Sequence, residues 1–359
     1  MNLKDEYNKI FIAELGTKIS KSNPAFDSKS FSQSIINADW EERTLKDRMR
    51  VITHNIHSHL NLPYPKQIEI LSQIVPNFSG LKGMVFPDFI QVYGLDDLTI
   101  SLKAIERFTQ YSTAEFAIRP FIEKYPLQTM QQMEAWSLHK NHHLRRLASE
   151  GCRPKLPWAS FLKAFITDPG PTLPILEHLK NDDSLYIRKS VANHLNDISK
   201  DNPKLVLEIC KNWFGKTKHT NWIVKHALRT LLKKGDKNAL AIFGLDNSKK
   251  LEIENLSLSE KTIQIGSFIH FEFDINNTAK EERGIRLEYK IAFVKANEST
   301  SDKVFQISTF SLKANSSQHI KRKQWFKELS TRKHYPGKHK ITLIVNGDKK
   351  KSIELMLTH

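Results

Sequence analysis

Cysteine is nearly absent: Cys152 and Cys210 are the only two in 359 residues, and they form no Cys-x-x-Cys pair. That excludes a disulfide framework and a cysteine-built zinc module, and it fits a reducing compartment. Long apolar runs are also missing. None approaches the ~20 residues of a membrane-spanning helix, and the stretch from Met1 to Lys21 is amphipathic and mixed in charge, without a signal-peptide core. A soluble cytoplasmic chain with no membrane partner is expected. Glycine is scarce, at 13 residues, and builds neither a phosphate-binding loop nor a nucleophile elbow. A zinc-deaminase signature is lacking too. Positive charge, by contrast, is abundant: 55 Lys+Arg stand against 39 Asp+Glu, a net +16. Residues 1–135 hold 15 basic and 16 acidic side chains, residues 136–230 hold 16 and 8, and residues 252–359 hold 19 and 13. Neutral first third, basic remainder: the partner implied is a polyanion, nucleic acid first.

Up to about residue 245 the apolar spacing is helical, as in Leu144/Leu147, Ile187/Val191/Leu195 and Val224/Leu228/Leu231. Three segments align by character: 144–148 (Leu-Arg-Arg-Leu-Ala), 187–191 (Ile-Arg-Lys-Ser-Val) and 224–228 (Val-Lys-His-Ala-Leu). Their offsets of 43 and 37 residues suit HEAT-type helical pairs, which stack into an α-solenoid; an irregular helical bundle is the alternative. A basic residue at one point of each repeat would draw a cationic stripe through Arg145, Arg188 and Lys225. After residue 251 the period becomes two. Ile269, Phe271, Phe273 and Ile275 alternate with polar residues, and turn chemistry such as Asn346-Gly347-Asp348 separates the runs. About seven short strands fit a small immunoglobulin-like β-sandwich without its signature cysteine pair. The expected fold class is therefore α then β: a helical-repeat domain over 1–246, a linker over 247–251 and the sandwich over 252–359. Residues 313–340 of the sandwich, which include Lys321, Lys323 and Arg332, are strongly basic and contain Trp325 and Tyr335.

The most informative stretch runs from Arg145 to Trp158. It reads as a helix stopped by Gly151, which leaves Glu150 in the last turn, where the helix dipole disfavours a carboxylate. Its simplest explanation is an ion pair with Arg146 one turn back. The sharper one is a functional acid in a basic, aromatic, proline-stiffened loop. Ser112-Thr113-Ala114-Glu115 has the form of a capping box opening a helix. His54, His57 and His59, and likewise His139, His142 and His143, crowd together without acids or cysteines at metal spacing, so no metal site is expected. Trp158 and Trp222, each near a helix start and beside basic residues, are candidates for the core, for stacking on a base or for a cation–π contact.

Three blocks carry a family resemblance: residues 115–121 (Glu-Phe-Ala-Ile-Arg-Pro-Phe), residues 145–158 and residues 191–203. They resemble the bacterial DNA alkylation repair glycosylases built from HEAT-like repeats, in particular the AlkC branch, whose members often add a C-terminal immunoglobulin-like domain. The resemblance implies monofunctional excision of N3-alkylated bases such as 3-methyladenine from double-stranded DNA. It implies a monomer without metal, cofactor or obligate protein partner, working without drawing the base fully from the stack. Glu115 and Glu150 would then be the acids at the lesion, with Trp158 and Asp197 beside them. Arg145, Arg146, Arg153, Arg188 and Lys225 would hold the DNA backbone, joined by Lys155, Lys189, Trp222 and Arg229 and, in the sandwich, by Lys321 and Lys323. A cationic alkylated adenine needs no general acid, so the acids would stabilise an oxocarbenium-like sugar and orient water. The rival expectation is a non-catalytic HEAT scaffold for nucleic acid or protein, which would have no use for an acid at the end of a helix.

Overall fold

A computed structural model describes residues 2–328 and 333–359; Arg332 lies outside the described residues. Among these, sixteen α-helices precede eight strands. The first six helices are α1 (Lys9–Ser22), α2 (Ser28–Ile35), α3 (Leu45–Leu60), α4 (Tyr64–Ile74), α5 (Val85–Tyr93) and α6 (Leu98–Phe108). The next six are α7 (Ile118–Lys124), α8 (Pro126–Ser137), α9 (His142–Gly151), α10 (Lys163–Thr167), α11 (Leu173–Leu179) and α12 (Leu185–Ile198). They are followed by α13 (Pro203–Trp213), α14 (Lys218–Ala227), α15 (Arg229–Lys234) and α16 (Lys237–Ala241). Short polar caps start many of them: Asp27, Asp97 and Asn141 each accept a first-turn amide, and Thr44 with Asp47 closes a capping box.

The chain divides into two compact units, residues 1–206 with 215–227, and residues 207–214 with 228–359. In the first, α8 packs on α9, α9 on α12, and α12 on α14. The three aligned sequence segments thus fall on α9, α12 and α14, which stack in succession as helical repeats. Leu144, Leu147, Ile187, Val191 and Val224 are fully buried between them.

In the second unit a three-stranded sheet, order β1-β3-β6, faces a five-stranded one, order β2-β8-β7-β4-β5. The strands are β1 (Leu251–Leu258), β2 (Thr262–Gln264), β3 (Phe268–Asn277), β4 (Arg283–Val294), β5 (Thr300–Leu312), β6 (Ser316–Trp325), β7 (Gly337–Val345) and β8 (Asp348–Thr358). The period-two residues of β3 fill one core with Leu287, Ile291, Leu343 and Leu355. Asn346 and Gly347 join β7 to β8 with φ of 50° and 81°, the left-handed pair that a two-residue hairpin needs. α15 and α16 rest on this turn. A Cβ on Gly347 would stand 2.8 Å from Leu240 and 3.0 Å from the Cα of Gly235, and Lys237 pairs with Asp348 at 2.7 Å. The change from helix to strand therefore falls inside one compact unit, and the last two helices group with the sandwich.

Three local expectations are corrected. Residues 112–115 do not cap a helix: α7 begins at Ile118 with no side-chain cap, because the Glu115 carboxylate is drawn away to Arg146. Gly151 does not end α9 in a left-handed turn but lies within it, with Cys152 as the cap. A Cβ there would meet Ile118 at 2.6 Å, so this glycine serves close packing against α7. Trp158 starts no helix: it sits in a loop at φ 65°, 69 % exposed.

Candidate active site

Glu150 sits where a carboxylate is least welcome, in the last turn of α9, and it is buried at 6 % exposure. Three guanidinium groups make the position tolerable. Arg119 of α7 is itself buried and donates to the carbonyls of Gly151 (2.9 Å), Arg153 (2.9 Å) and Ser160 (2.6 Å), which binds the helix end and the following loop to one cation. Burial lowers its pKa to about 10, which still leaves it charged at neutral pH. Arg153 Nη1 reaches Glu150 Oε1 at 2.6 Å, and Arg146 Nη2 approaches the same oxygen at 3.5 Å. The other oxygen, Oε2, accepts from Ser190 of α12 at 2.6 Å. The simple pairing with Arg146 is present but is the weakest of these contacts.

Arg146 continues to the second acid. It pairs with Glu115, and Thr113 Oγ1 accepts from Arg146 at 2.8 Å while donating to Glu115 at 2.7 Å. On the other side, Arg153 holds Asp197 of α12 at 2.8 Å, and Asp197 holds Lys200 at 2.9 Å. The result is an alternating ladder: Glu115, Arg146, Glu150, Arg153, Asp197, Lys200. Its Glu150 and Asp197 rungs are buried, while Glu115 and Arg146 retain 13 % and 15 % side-chain exposure and Lys200 39 %, so the ladder is closed at its centre and reaches solvent at both ends. Tyr186, 44 % exposed, covers Arg146 with its ring centre 5.1 Å from the guanidinium.

Trp158 projects from the loop that Arg119 holds. Lys46 of α3 donates to its carbonyl and also lies 4.8 Å from the ring centre of Phe116, next to Glu115. A cavity of about 380 Å³ lies among Lys46, Arg50, Phe116, Arg119, Trp158 and Ser160. Behind the ladder, His194 is fully buried: its Nδ1 bonds the Ser149 carbonyl at 2.9 Å while Nε2 has no partner. Burial pushes its pKa down to about 3, so it is neutral.

Glu115, Glu150, Arg146, Arg153 and Asp197 are thus brought together, with Trp158 on the adjoining loop. The remaining basic residues divide. Arg145 Nη1 donates to the carbonyls of His139 and Lys140, each at 2.9 Å, and its Nε pairs with Asp182 at 2.7 Å. Arg188 repeats the device one repeat later, on the carbonyls of Asp182 (2.7 Å) and Asp183 (2.8 Å). In both, the guanidinium reaches five and six residues back and pins the loop entering its own helix. These arginines, and buried Arg153, are engaged within the protein, contrary to a free cationic stripe. Lys155 pairs with Asp201 at 2.6 Å. Trp222 is half-buried and stacks on His226 at 3.8 Å, and Arg229 is half-buried and partnered. Lys189 and Lys225 are exposed on α12 and α14. In the sandwich, Lys321 lies 3.6 Å from Glu272, and Lys323 stands over Phe268 (3.5 Å) and Trp325 (4.4 Å). Arg119, Ser190, Tyr186 and Lys46 were not singled out from the sequence. Ser190 and Arg119 had usable signals there, the first in the second repeat segment and the second inside the 115–121 block.

A model of the DNA alkylation repair enzyme family matches residues 90–231, and one for the C-terminal Ig-like domain of the uncharacterised protein YhaZ matches residues 252–359. The chain is similar to the uncharacterized protein YhaZ of Bacillus subtilis (strain 168), with 45 % identity over 356 residues and 99 % of each chain covered. It is also similar, over 100 % of both chains, to the Pseudomonas fluorescens alkylpurine DNA glycosylase AlkC bound to DNA containing an abasic site analog, with 38 % identity and a TM-score of 0.96.

Proposed function

The chain belongs to the DNA alkylation repair enzyme family, in the AlkC branch with a C-terminal immunoglobulin-like domain, and from that premise we propose that it is a monofunctional glycosylase for cationic N3-alkylated purines in duplex DNA. One observation carries the reading: Glu115 and Glu150, from different elements, converge on the single guanidinium of Arg146. Buried acid–base ladders are a poor investment for stability alone, since apolar side chains of similar volume commonly do as well or better. A scaffold would gain nothing from this one. A glycosylase would gain two carboxylates fixed before the substrate arrives.

The chemistry follows from charge. An N3-alkylated adenine is already cationic, so its glycosidic bond breaks with the electron pair passing to the base, and positive charge develops on the sugar. Carboxylates held in place stabilise that charge without reorganising, and one of them can accept a hydrogen bond from the attacking water. Ser190 and Arg153 fix the Glu150 rotamer, and Thr113 with Arg146 fixes Glu115. Asp197 acts one step back, holding Arg153, and is a positioning residue. Trp158, exposed, is free to stack on the lesion nucleotide without full extrusion of the base. Lys189 and Lys225, with Lys321 and Lys323 of the sandwich, are among the exposed cations that would face phosphate.

The purified chain should release 3-methyladenine from alkylated duplex DNA, and Glu150→Gln should lower single-turnover excision by ~10²-fold or more. The same substitution also removes one of the two negative charges that balance buried Arg153, so it should lower the melting temperature. Circular dichroism at the assay temperature separates the two effects. No release by the wild-type chain, or wild-type rates in a folded Glu150→Gln protein, would defeat the reading.

A further inference from the structure

Arg146 has a second surface. Besides joining the two glutamates, it lines a cavity of about 380 Å³ that neither glutamate lines, walled also by Met84, Tyr111, Thr113, His143 and Tyr186. Small-ligand pockets begin at roughly 300 Å³, are mostly apolar and carry a few placed polar groups. This one offers two phenol rings and a thioether for a flat apolar surface, and Thr113 and His143 for a polar edge. Burial, then the charges of His142 and Arg146, hold the His143 pKa below its usual value, so near neutral pH it is an uncharged donor and acceptor. The single charge on the wall is the guanidinium.

We propose that this cavity receives the neutral purine released by excision, as a product site separate from the carboxylates; the identity of the ligand rests on the glycosylase reading. The charges of the reaction sort between the two places. Before cleavage the alkylated base is a cation, suited to the glutamates and unsuited to a cavity whose one charge is positive. Cleavage sends the bonding pair to the purine nitrogen, which makes the base neutral and moves the positive charge to the sugar. Water adds to the sugar carbon and passes one proton to a glutamate carboxylate, which releases it to solvent. Until the water adds, the sugar cation belongs at Glu115 and Glu150, and the neutral purine fits the walls made by Tyr111 and Tyr186, on whose rings a π-face stacks well. Thr113, which touches Glu115 and Arg146 and also lines the cavity, marks where the two places meet.

The test uses the full chain and two small probes: 3-methyladenine, neutral, and 3,9-dimethyladeninium, a fixed cation of nearly the same shape. Calorimetry or ligand-detected NMR without DNA should find the neutral purine binding at least about tenfold more tightly, a difference of about 1.4 kcal/mol. It should also inhibit multiple-turnover excision. Tyr111→Ala removes a wall and Met84→Trp fills the space. Each should weaken 3-methyladenine binding and relieve inhibition by about tenfold, a larger change than in the single-turnover rate. Equal binding of the two probes, or wild-type affinity in both variants, overturns the site. Selective binding of the neutral purine by a chain that excises nothing would uphold the cavity as a purine site and defeat the glycosylase reading instead.

Discussion

The helical unit and the sandwich are both basic, and they spend that charge differently. Between α7 and α12 the arginines turn inward: Arg119 on three carbonyls, Arg153 between two carboxylates, and Arg145 and Arg188 pinning the loops before their own helices. On β6 the charge lies in exposed side chains, Lys321, Arg322 and Lys323, with Lys323 over aromatic rings. A guanidinium can satisfy several acceptors at once and is weakly hydrated, whereas an ammonium is a strongly hydrated point charge. Net charge counts both alike. Only the arrangement distinguishes cations that hold the fold from cations that can meet a phosphate.

The largest expected effect tests that contrast directly. Arg153→Ala leaves Glu150 and Asp197 buried with less compensation and should cost about 3–5 kcal/mol of stability, as for other broken buried pairs. Lys323→Ala in the sandwich should stay within about 0.5 kcal/mol. Denaturant melts of the two variants give both numbers. Similar losses would mean that the inward arginines are no more structural than the outward lysines.

Acid should separate the units next. The folded pKa of His194 lies at about 3, below its unfolded value. Between about 6.5 and 3 the unfolded chain therefore binds a proton that the folded helical unit refuses. Stability from this group is complete above that window and falls through it by about 1.4 kcal/mol per pH unit. His194→Asn, which retains a donor for the Ser149 carbonyl, should flatten the acid limb. Burial lowers the pKa of His339 in the sandwich as well, so that unit shares the sign. Hydrogen exchange by peptide, run from pH 7 to 4, should show residues 142–198 losing protection first in the wild-type chain and not in the variant.

Much of the fold could be read from spacing, because hydrophobic period is local. The 43- and 37-residue offsets found α9, α12 and α14, the alternation in β3 found the sandwich core, and Asn346-Gly347 found its hairpin. What spacing could not reveal was partnership across sequence. Thr113 and Glu115 carry a capping pattern and lose it to Arg146, 31 residues away. Gly151 looks like a stop until Ile118 arrives against it. Glu150 could be suspected from its unfavourable place on the dipole, but Ser190 is 40 residues off and Arg119, which makes that place habitable through the Gly151 carbonyl, is 32 residues from that glycine. The place of α15 and α16 against the β7–β8 turn is equally long-range, so cutting the chain near residue 247 would strip those helices of Asp348 and Gly347.

The smallest effects should be the most discriminating for DNA binding. Arg145 and Lys189 lie on neighbouring repeats and would count equally toward a cationic stripe. Arg145 is committed to two carbonyls and Asp182, and Lys189 stands exposed. If the division between inward and outward cations holds on DNA, Lys189→Ala and Lys225→Ala should each flatten the log-affinity against log-salt slope by about 0.9, the signature of one lost phosphate contact on duplex DNA. Neither should change lesion choice, because phosphate contacts carry no sequence information. Arg145→Ala and Arg188→Ala should leave the slope alone and instead lower the melting temperature, each removing a loop pin worth about 1–3 kcal/mol. Salt titrations of the four variants on one alkylated duplex decide it. A flattened slope for Arg145→Ala at wild-type stability would show that the guanidinium leaves its carbonyls when DNA arrives, and the loop pin would then be a resting position for a phosphate clamp.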